Sequence, residues 1–315
     1  MRSSRQVVMV AAVLSASMVA TPYLRAQGAT PLAGTSVDHI GIVVRDIDKT
    51  SQAFREIFGA VVPPARELDS MVLRGRMAAS KASRLKFTGF AMGGIAFELM
   101  QPIVGPSPHR EFLDTFGTGM QHVGFLVKEP QKGIDFLVAR GGEWLNGQHV
   151  NMKDAVGLTA EMKWPATPAA PQPAANASPL SGATIAHIGI VARDIDKTSQ
   201  QFSDVFGITV PRAAEVGPLP FPANAPADAT STRLKYNQFA IGQMTFELLQ
   251  QTAGHGPLRD HVETFGQGLH HLSFTLKDPK AGIDYLVARG GTWTMAPYVD
   301  MRDVLGFTVE ILAPR

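Results

Sequence analysis

Two hydrophobic rhythms alternate along this chain. Val37–Val44 is an alternating apolar run with His39, Gly41 and Val43 on one side, the two-residue period of a strand. Asp46 and Asp48 follow as candidate helix N-caps. Beyond them Phe54, Ile57 and Phe58 share one stripe of a predicted helix that Gly59 stops. After VVPP and a polar, Met- and Arg-containing stretch over Glu67–Ser83, RLKFTGFAMGGIAFELMQP reads as two strands about a Gly93-Gly94 turn. That β-α-β-β-β order then recurs. HREFLDTFGTG is a short helical connection, MQHVGFLV (120–127) a strand, and PQKGIDFLVARGG a helix closed by Gly141-Gly142. WLNGQHVNMKDAVGLTAEMKW supplies further strands around a polar turn, so His39 and His122 match in the first strands of two modules.

The whole pattern is written twice. HIGIVVRDIDKTSQAFREIFG (39–59) returns as HIGIVARDIDKTSQQFSDVFG (187–207), identical at 16 of 21 positions and offset by about 148 residues, a domain-sized period. GIDFLVARGG (133–142) and GIDYLVARGG (282–291) agree at nine of ten positions. Residues 164–183, WPATPAAPQPAANASPLSGA, carry the Pro/Ala/Ser bias of an exposed linker. The expected organisation is α+β: a first domain over 28–163, the linker, and a second domain over 184–315. Each domain consists of two βαβββ modules, expected to pair within their own half. The least similar stretch is RELDSMVLRGRMAASKA against AEVGPLPFPANAPADATS, which suggests that the halves present different binding surfaces.

Composition narrows the function. Apolar residues make up 45% of the chain, ordinary for a globular protein, and there is no cysteine. Disulfides, thiolate metal ligands and a lipoprotein anchor are therefore excluded. Residues 1–27 read as a secretory signal: Arg2 and Arg5 precede the apolar run VVMVAAVLSASMVA (7–20), with cleavage expected between 20 and 28. The run is too short for a persuasive membrane span, so a periplasmic or secreted mature chain is expected. Without that segment the formal charge of +2 becomes a balance of 26 basic against 27 acidic residues. Nucleic acid and anionic membranes have no electrostatic case as partners, and a small-molecule substrate is expected.

Four polar residues recur inside apolar strands, where each needs a partner. They are His39, Glu98, His122 and Glu161 in the first half, and His187, Glu247, His271 and Glu310 in the second. Any one of them reads alone as a hydrogen-bonded core residue or a solvent-facing carboxylate. Together, two imidazoles and two carboxylates make a divalent-metal shell of nitrogen and oxygen donors.

HIGIVVRDIDKTSQAFREIFG, the hairpin ending AFELMQP, and GTGMQHVGFLV resemble the vicinal-oxygen-chelate superfamily, which includes glyoxalase I, methylmalonyl-CoA epimerase, extradiol dioxygenases and fosfomycin or bleomycin resistance proteins. GQGLHHLSF (266–274) and the preceding LRDHVETF resemble the epimerase branch. The likeness covers 37–163 and 185–313. It implies that the paired modules form half-open barrels, with the two His/Glu/His/Glu sets as ligands of a divalent metal (Ni, Co, Mn, Zn or Fe). The ligand types are closer to metal-binding glyoxalase I. Alignment with Gln121-His122 picks His271 as the ligand and leaves its neighbour His270 on the opposite strand face, beside the cleft or at the surface.

The resemblance implies a metal-dependent isomerase, epimerase or lyase that stabilises an enolate of a small oxygen-chelating substrate. Glu161 or Glu310 would detach as general base, with Glu98 and Glu247 sharing the role from the other side. Arg84, Lys86, Arg233 and Lys235 read either as anchors for a substrate anion or as ordinary outward-facing strand residues, and Glu67 and Glu215 as surface residues. Two alternatives stand beside this: an iron-dependent extradiol-type dioxygenase, and an exported binding or resistance protein without turnover. Export weakens glutathione adducts and CoA thioesters as substrates, since both are chiefly cytosolic.

Overall fold

Asp46 begins the architecture by capping a helix. Its side chain accepts hydrogen bonds from the backbone N–H groups of Asp48 and Lys49, so of the two candidate caps it is Asp46 that starts α1 (Ile47–Phe58). Gly59, in the left-handed region at φ 67°, ends it. The computed structural model describes residues 30–69, 83–165, 177–217, 232–295 and 297–314. Around α1, the first half holds β1 (Ser36–Val43), β2 (Arg66–Asp69), β3 (Arg84–Met92), β4 (Ile95–Val104), α2 (Pro108–Phe116), β5 (Gly119–Leu126), α3 (Pro130–Val138), β6 (Glu143–Asn146), β7 (His149–Asn151), α4 (Lys153–Val156) and β8 (Thr159–Lys163). The second half repeats the order: β9 (Ile185–Val191), α5 (Ile195–Phe206), β10 (Ala214–Val216), β11 (Arg233–Ile241), β12 (Met244–Ala253), α6 (Pro257–Phe265), β13 (Gly268–Thr275), α7 (Pro279–Val287), β14 (Thr292–Met295), β15 (Tyr298–Asp300), α8 (Arg302–Leu305) and β16 (Thr308–Leu312).

Each half forms one curled eight-stranded sheet, ordered β2-β3-β4-β1-β5-β8-β7-β6 and β10-β11-β12-β9-β13-β16-β15-β14. The modules therefore pair within their own half. Their first strands, β1 and β5, lie side by side and antiparallel at the centre. The fold is α+β, with helices on one face of each curled sheet and a half-barrel concavity on the other. Alternation along β1 sends Ile40 and Ile42 to the helix face and leaves His39 and Gly41 on the concave one.

The helix faces of the two halves share one core. Phe54 of α1 meets Phe97 of its own sheet and Phe307 of the second half, and Phe125 meets Phe206. The end of the expected linker belongs to this core. Residues 166–176 lie outside the described residues, but 177–183 are anchored at two points: Leu180 is buried, and the Ser178 hydroxyl donates to the Ile57 carbonyl of α1. Thr30 makes the matching bond to Val205 of α5, 2.9 Å long. A hydroxyl ahead of each domain thus satisfies a carbonyl at the end of the other domain's helix.

The expected signal segment and most of the divergent loop lie outside the described residues. Among the described residues, no helix is long and apolar enough to cross a membrane.

Two candidate metal centres

The register of the central strands assembles the sites. His39 lies opposite Gly124, and His122 opposite Gly41, across the β1–β5 pair. β4 runs parallel to β1 and sets Glu98 beside Gly41, while β8 runs parallel to β5 and sets Glu161 beside Gly124. The four candidate ligands of each half so converge on one concave face. One donor atom from each of His39, Glu98, His122 and Glu161 lies within 4.8 Å of every other, and the same holds for His187, Glu247, His271 and Glu310.

Glycine makes this possible. A Cβ on Gly41 would stand 2.0 Å from the His122 ring, one on Gly124 2.2 Å from the His39 ring, and one on Gly189 1.9 Å from the His271 ring. Each imidazole lies over the space its strand partner leaves empty.

The donors face a shared point more than they face one another. His39 Nε2 is 3.0 Å from His122 Nε2 and 2.9 Å from Glu161 Oε2. His187 Nε2 is 3.1 Å from His271 Nε2 and 3.0 Å from Glu310 Oε2. Yet Glu161 Oε2, Glu247 Oε2 and both Glu310 oxygens are buried with no hydrogen-bond donor. Orphaned carboxylate oxygens beside inward-pointing imidazole nitrogens are costly alone and fit a divalent cation with two nitrogen and two oxygen ligands.

Neighbours orient the ligands. Asp38 Oδ2 lies 2.9 Å from His39 Nδ1, which leaves Nε2 aimed into the quartet. Burial opposes a proton on His39, but the Asp38 bond and the Glu161 and Glu98 carboxylates outweigh it and raise its pKa to about 9. Burial alike opposes a proton on His187, where Glu247 and Glu310 win and raise it to about 10. His122, buried among other imidazoles, is pushed well below its ordinary value. Burial works against ionisation of Glu161 and Glu247, yet the facing histidines hold both below the usual carboxylate range.

Three residues that the sequence reading passed over belong to the first site. His149 Nε2, itself without a hydrogen-bond partner, lies 3.9 Å from Glu161 Oε2, and its ring stands 4.8 Å from that of His122. Lys163 Nζ sits 3.2 Å from Asp38 and 3.5 Å from Glu98. Asp38, Lys163 and His149 were invisible to a search for positions that recur, because their repeat partners are Ala186, Leu312 and Tyr298.

Two open alternatives are decided here. His270 lies beside the cleft, buried, rather than at the surface. A bulge in β13 between Leu269 and His271 breaks the alternation and brings its ring nitrogen within 3.1 Å of His271 Nδ1. Gln121 holds the same place beside His122, at 3.3 Å. The basic strand residues fit the second of their two readings, ordinary outward-facing ones. Lys86 and Lys235 reach Asp48 and Asp196 at the helix starts, and Arg84 reaches Glu67 on the neighbouring edge strand. Arg233 is exposed at the start of its strand. Glu67 lies at the surface as expected, and Glu215 is exposed on β10 opposite Lys235.

A cavity of about 270 Å³ opens between the halves, walled by Phe112, Phe116, Lys153, His261, Phe265 and Arg302 among others, and none of the eight quartet residues lines it.

Comparison with known proteins bears on the family and the fold. The family model for the glyoxalase/bleomycin resistance protein/dioxygenase superfamily matches residues 38–158 and again 186–308. No curated protein matches the chain. Among solved structures, a triple mutant of 4-hydroxymandelate synthase from Streptomyces coelicolor superposes with a TM-score of 0.58 at 15% identity, over 89% of this chain and 92% of that one. A xylose isomerase-like TIM barrel/4-hydroxyphenylpyruvate dioxygenase fusion protein gives a TM-score of 0.49 at 13% identity, over 93% of this chain and 50% of that one. At 15% identity the likeness to the synthase is one of fold.

Proposed function

The chain belongs to the glyoxalase/bleomycin resistance protein/dioxygenase superfamily, and from that premise we propose a divalent-metal-dependent isomerase, epimerase or lyase acting on a small substrate with adjacent oxygens. The observation that carries this reading is the convergence of two imidazoles and two carboxylates on one point, with carboxylate oxygens left without donors. A bound divalent cation supplies Lewis acidity to the substrate oxygens and favours loss of a proton from the neighbouring carbon.

The remaining work falls to the chain's own groups. In the first centre His39, held by Asp38, and His122, held by Gln121, present Nε2 at fixed angles. Glu161 is the tightly set carboxylate, facing the ring nitrogens of His39, His122 and His149 within 3.9 Å. Glu98 is the loose one: its Oε2 lies 3.5 Å from His39 Nε2, and its Oε1 lies 3.5 Å from Lys163 Nζ. Glu98 is therefore the better candidate for the general base that leaves the shell to take the proton, with Lys163 steadying it.

Metal content of the purified protein, measured by mass spectrometry beside Glu98→Ala and Glu247→Ala, tests the reading. The expected result is about two equivalents, falling by about one with each substitution. Absence of bound metal after reconstitution would sink it and leave a binding protein without turnover. The loose hold on Glu98 favours one second reading, an iron-dependent dioxygenase, because His39, His122 and Glu161 without it make the two-histidine, one-carboxylate set that suits iron. Iron in the purified protein and substrate-dependent oxygen uptake would select that reading over the first.

A further inference from the structure

The two quartets have identical ligands, but their surroundings differ at five polar positions of the first half. Asp38, His109, Asn146, His149 and Lys163 of the first half are replaced, at their repeat partners, by Ala186, Leu258, Met295, Tyr298 and Leu312. The consequence is visible in exposure. Glu98 and Glu161 keep 20% and 13% of their side chains exposed, whereas Glu247 and Glu310 keep 1% and 0%. Over the second quartet lies an apolar lid of Leu234, Tyr236, Leu258, Met295 and Tyr298, with the Tyr298 ring 5.0 Å from that of His271. Glu247 is also pinned from behind, where Gln238 Nε2 donates to Oε1 at 2.9 Å. Its partner Glu98 has Gly89 at that place in the sheet, and only Lys163 Nζ, 3.5 Å from Oε1, in place of the amide.

We propose that the quartets divide the work: the first is the open centre that exchanges its cation and takes substrate, and the second is a sealed centre that keeps its cation as part of the fold. The inference rests on the metal reading above. Two carboxylates and a divalent cation sum to zero charge, which is what an apolar enclosure tolerates. A cation under the Tyr236–Tyr298 lid leaves only when that lid opens locally. No substrate reaches it in the closed state. At the first centre the partly exposed carboxylates and the Lys163 cation beside them face solvent, an edge suited to an anionic oxygen chelator.

Cobalt release tests the division. Full-length protein is stripped of metal, loaded with Co(II), freed of excess and challenged with dipicolinate while absorbance is followed. The expected result is two phases of one cobalt each, separated in rate by at least about tenfold. Glu98→Ala should abolish the fast phase only and Glu247→Ala the slow phase only. Tyr298→Ala, which spares every ligand, should keep both cobalt ions and quicken the slow phase. Oxalate should perturb the visible spectrum of the fast-exchanging cobalt and still do so in Glu247→Ala. Two ions released at one rate, a fast phase lost with Glu247→Ala, or a slow phase unmoved by Tyr298→Ala would each overturn the division while leaving the metal reading intact. Failure to take up cobalt at all would overturn both.

Discussion

Gly41 and His122 face each other across the antiparallel pair of β1 and β5, and the His122 ring occupies the volume that a side chain at Gly41 would need. The relationship is reciprocal, since Gly124 and His39 stand the same way. The His-x-Gly spacing of both strands is therefore one device: each strand supplies a ligand and the room for its partner's ligand.

Gly41→Ala should accordingly displace His122 and empty the first centre alone. A methyl group 2.0 Å from a ring atom forces a shift, with a cost of about 1–3 kcal/mol. Thermal denaturation and metal content of the purified variant measure both effects. Retention of both metals would show that the ring turns away without losing its place as a ligand.

Asp38→Asn should weaken the first centre and spare the second, where Ala186 stands at the same place. Losing the carboxylate that orients His39 is expected to lower the affinity of that site about 10–100-fold. Competition with a chromophoric chelator gives the two affinities separately. An equal fall at both sites would mean that Asp38 acts through the global fold.

The halves should unfold together, because their helix faces form one core. Calorimetry is expected to show a single transition, and Leu180→Ala should lower it as a whole, by about 2–5 kcal/mol, since the leader of the second domain is packed into that core. Two resolved transitions in the parent protein would contradict the shared core.

His261 offers a pH test one ring removed from the second quartet, its ring 4.9 Å from that of His270. It is 9% exposed, its Nδ1 has no hydrogen-bond partner, and burial together with Arg302 and Lys153 lowers its pKa to about 3. In the unfolded chain the ring has its ordinary value near 6.5 and binds the proton more readily. Stability from keeping this ring neutral is thus complete above about pH 6.5 and declines as pH falls toward 3. His261→Phe, the residue of its repeat partner Phe112, should flatten the acid limb of a stability–pH curve by on the order of 1 kcal/mol. An unchanged limb would place the titration elsewhere.

Much of this arrangement was legible residue by residue. Asp46 and Gly59 bound a helix by local chemistry, the Gly93-Gly94 turn joins β3 to β4, and alternation about His39 assigns the faces of β1. The eight quartet positions stood out because an ionisable group inside an apolar strand is costly and this cost recurs in both copies. The same reliance on recurrence hid Asp38, His149 and Lys163, which belong to one copy only. The bulge that buries His270 was illegible for another reason: alternation assumes a regular ladder, and nothing local announces the extra residue.

By itself the sequence determined the elements, their order, the duplication, and which eight side chains had to find partners inside apolar strands. Those properties rest on local periodicity and on the cost of burying charge, which act within a few residues of chain. Only the tertiary structure decided that the leader of each domain packs against the other, that Glu98 is held loosely while Glu161 is held on three sides, and that one quartet is open and the other closed. These outcomes depend on which residues from distant strands reach the same few ångströms of space. Tyr298 and His149 hold equivalent places in the chain, yet one helps seal a site and the other leaves a nitrogen facing into it.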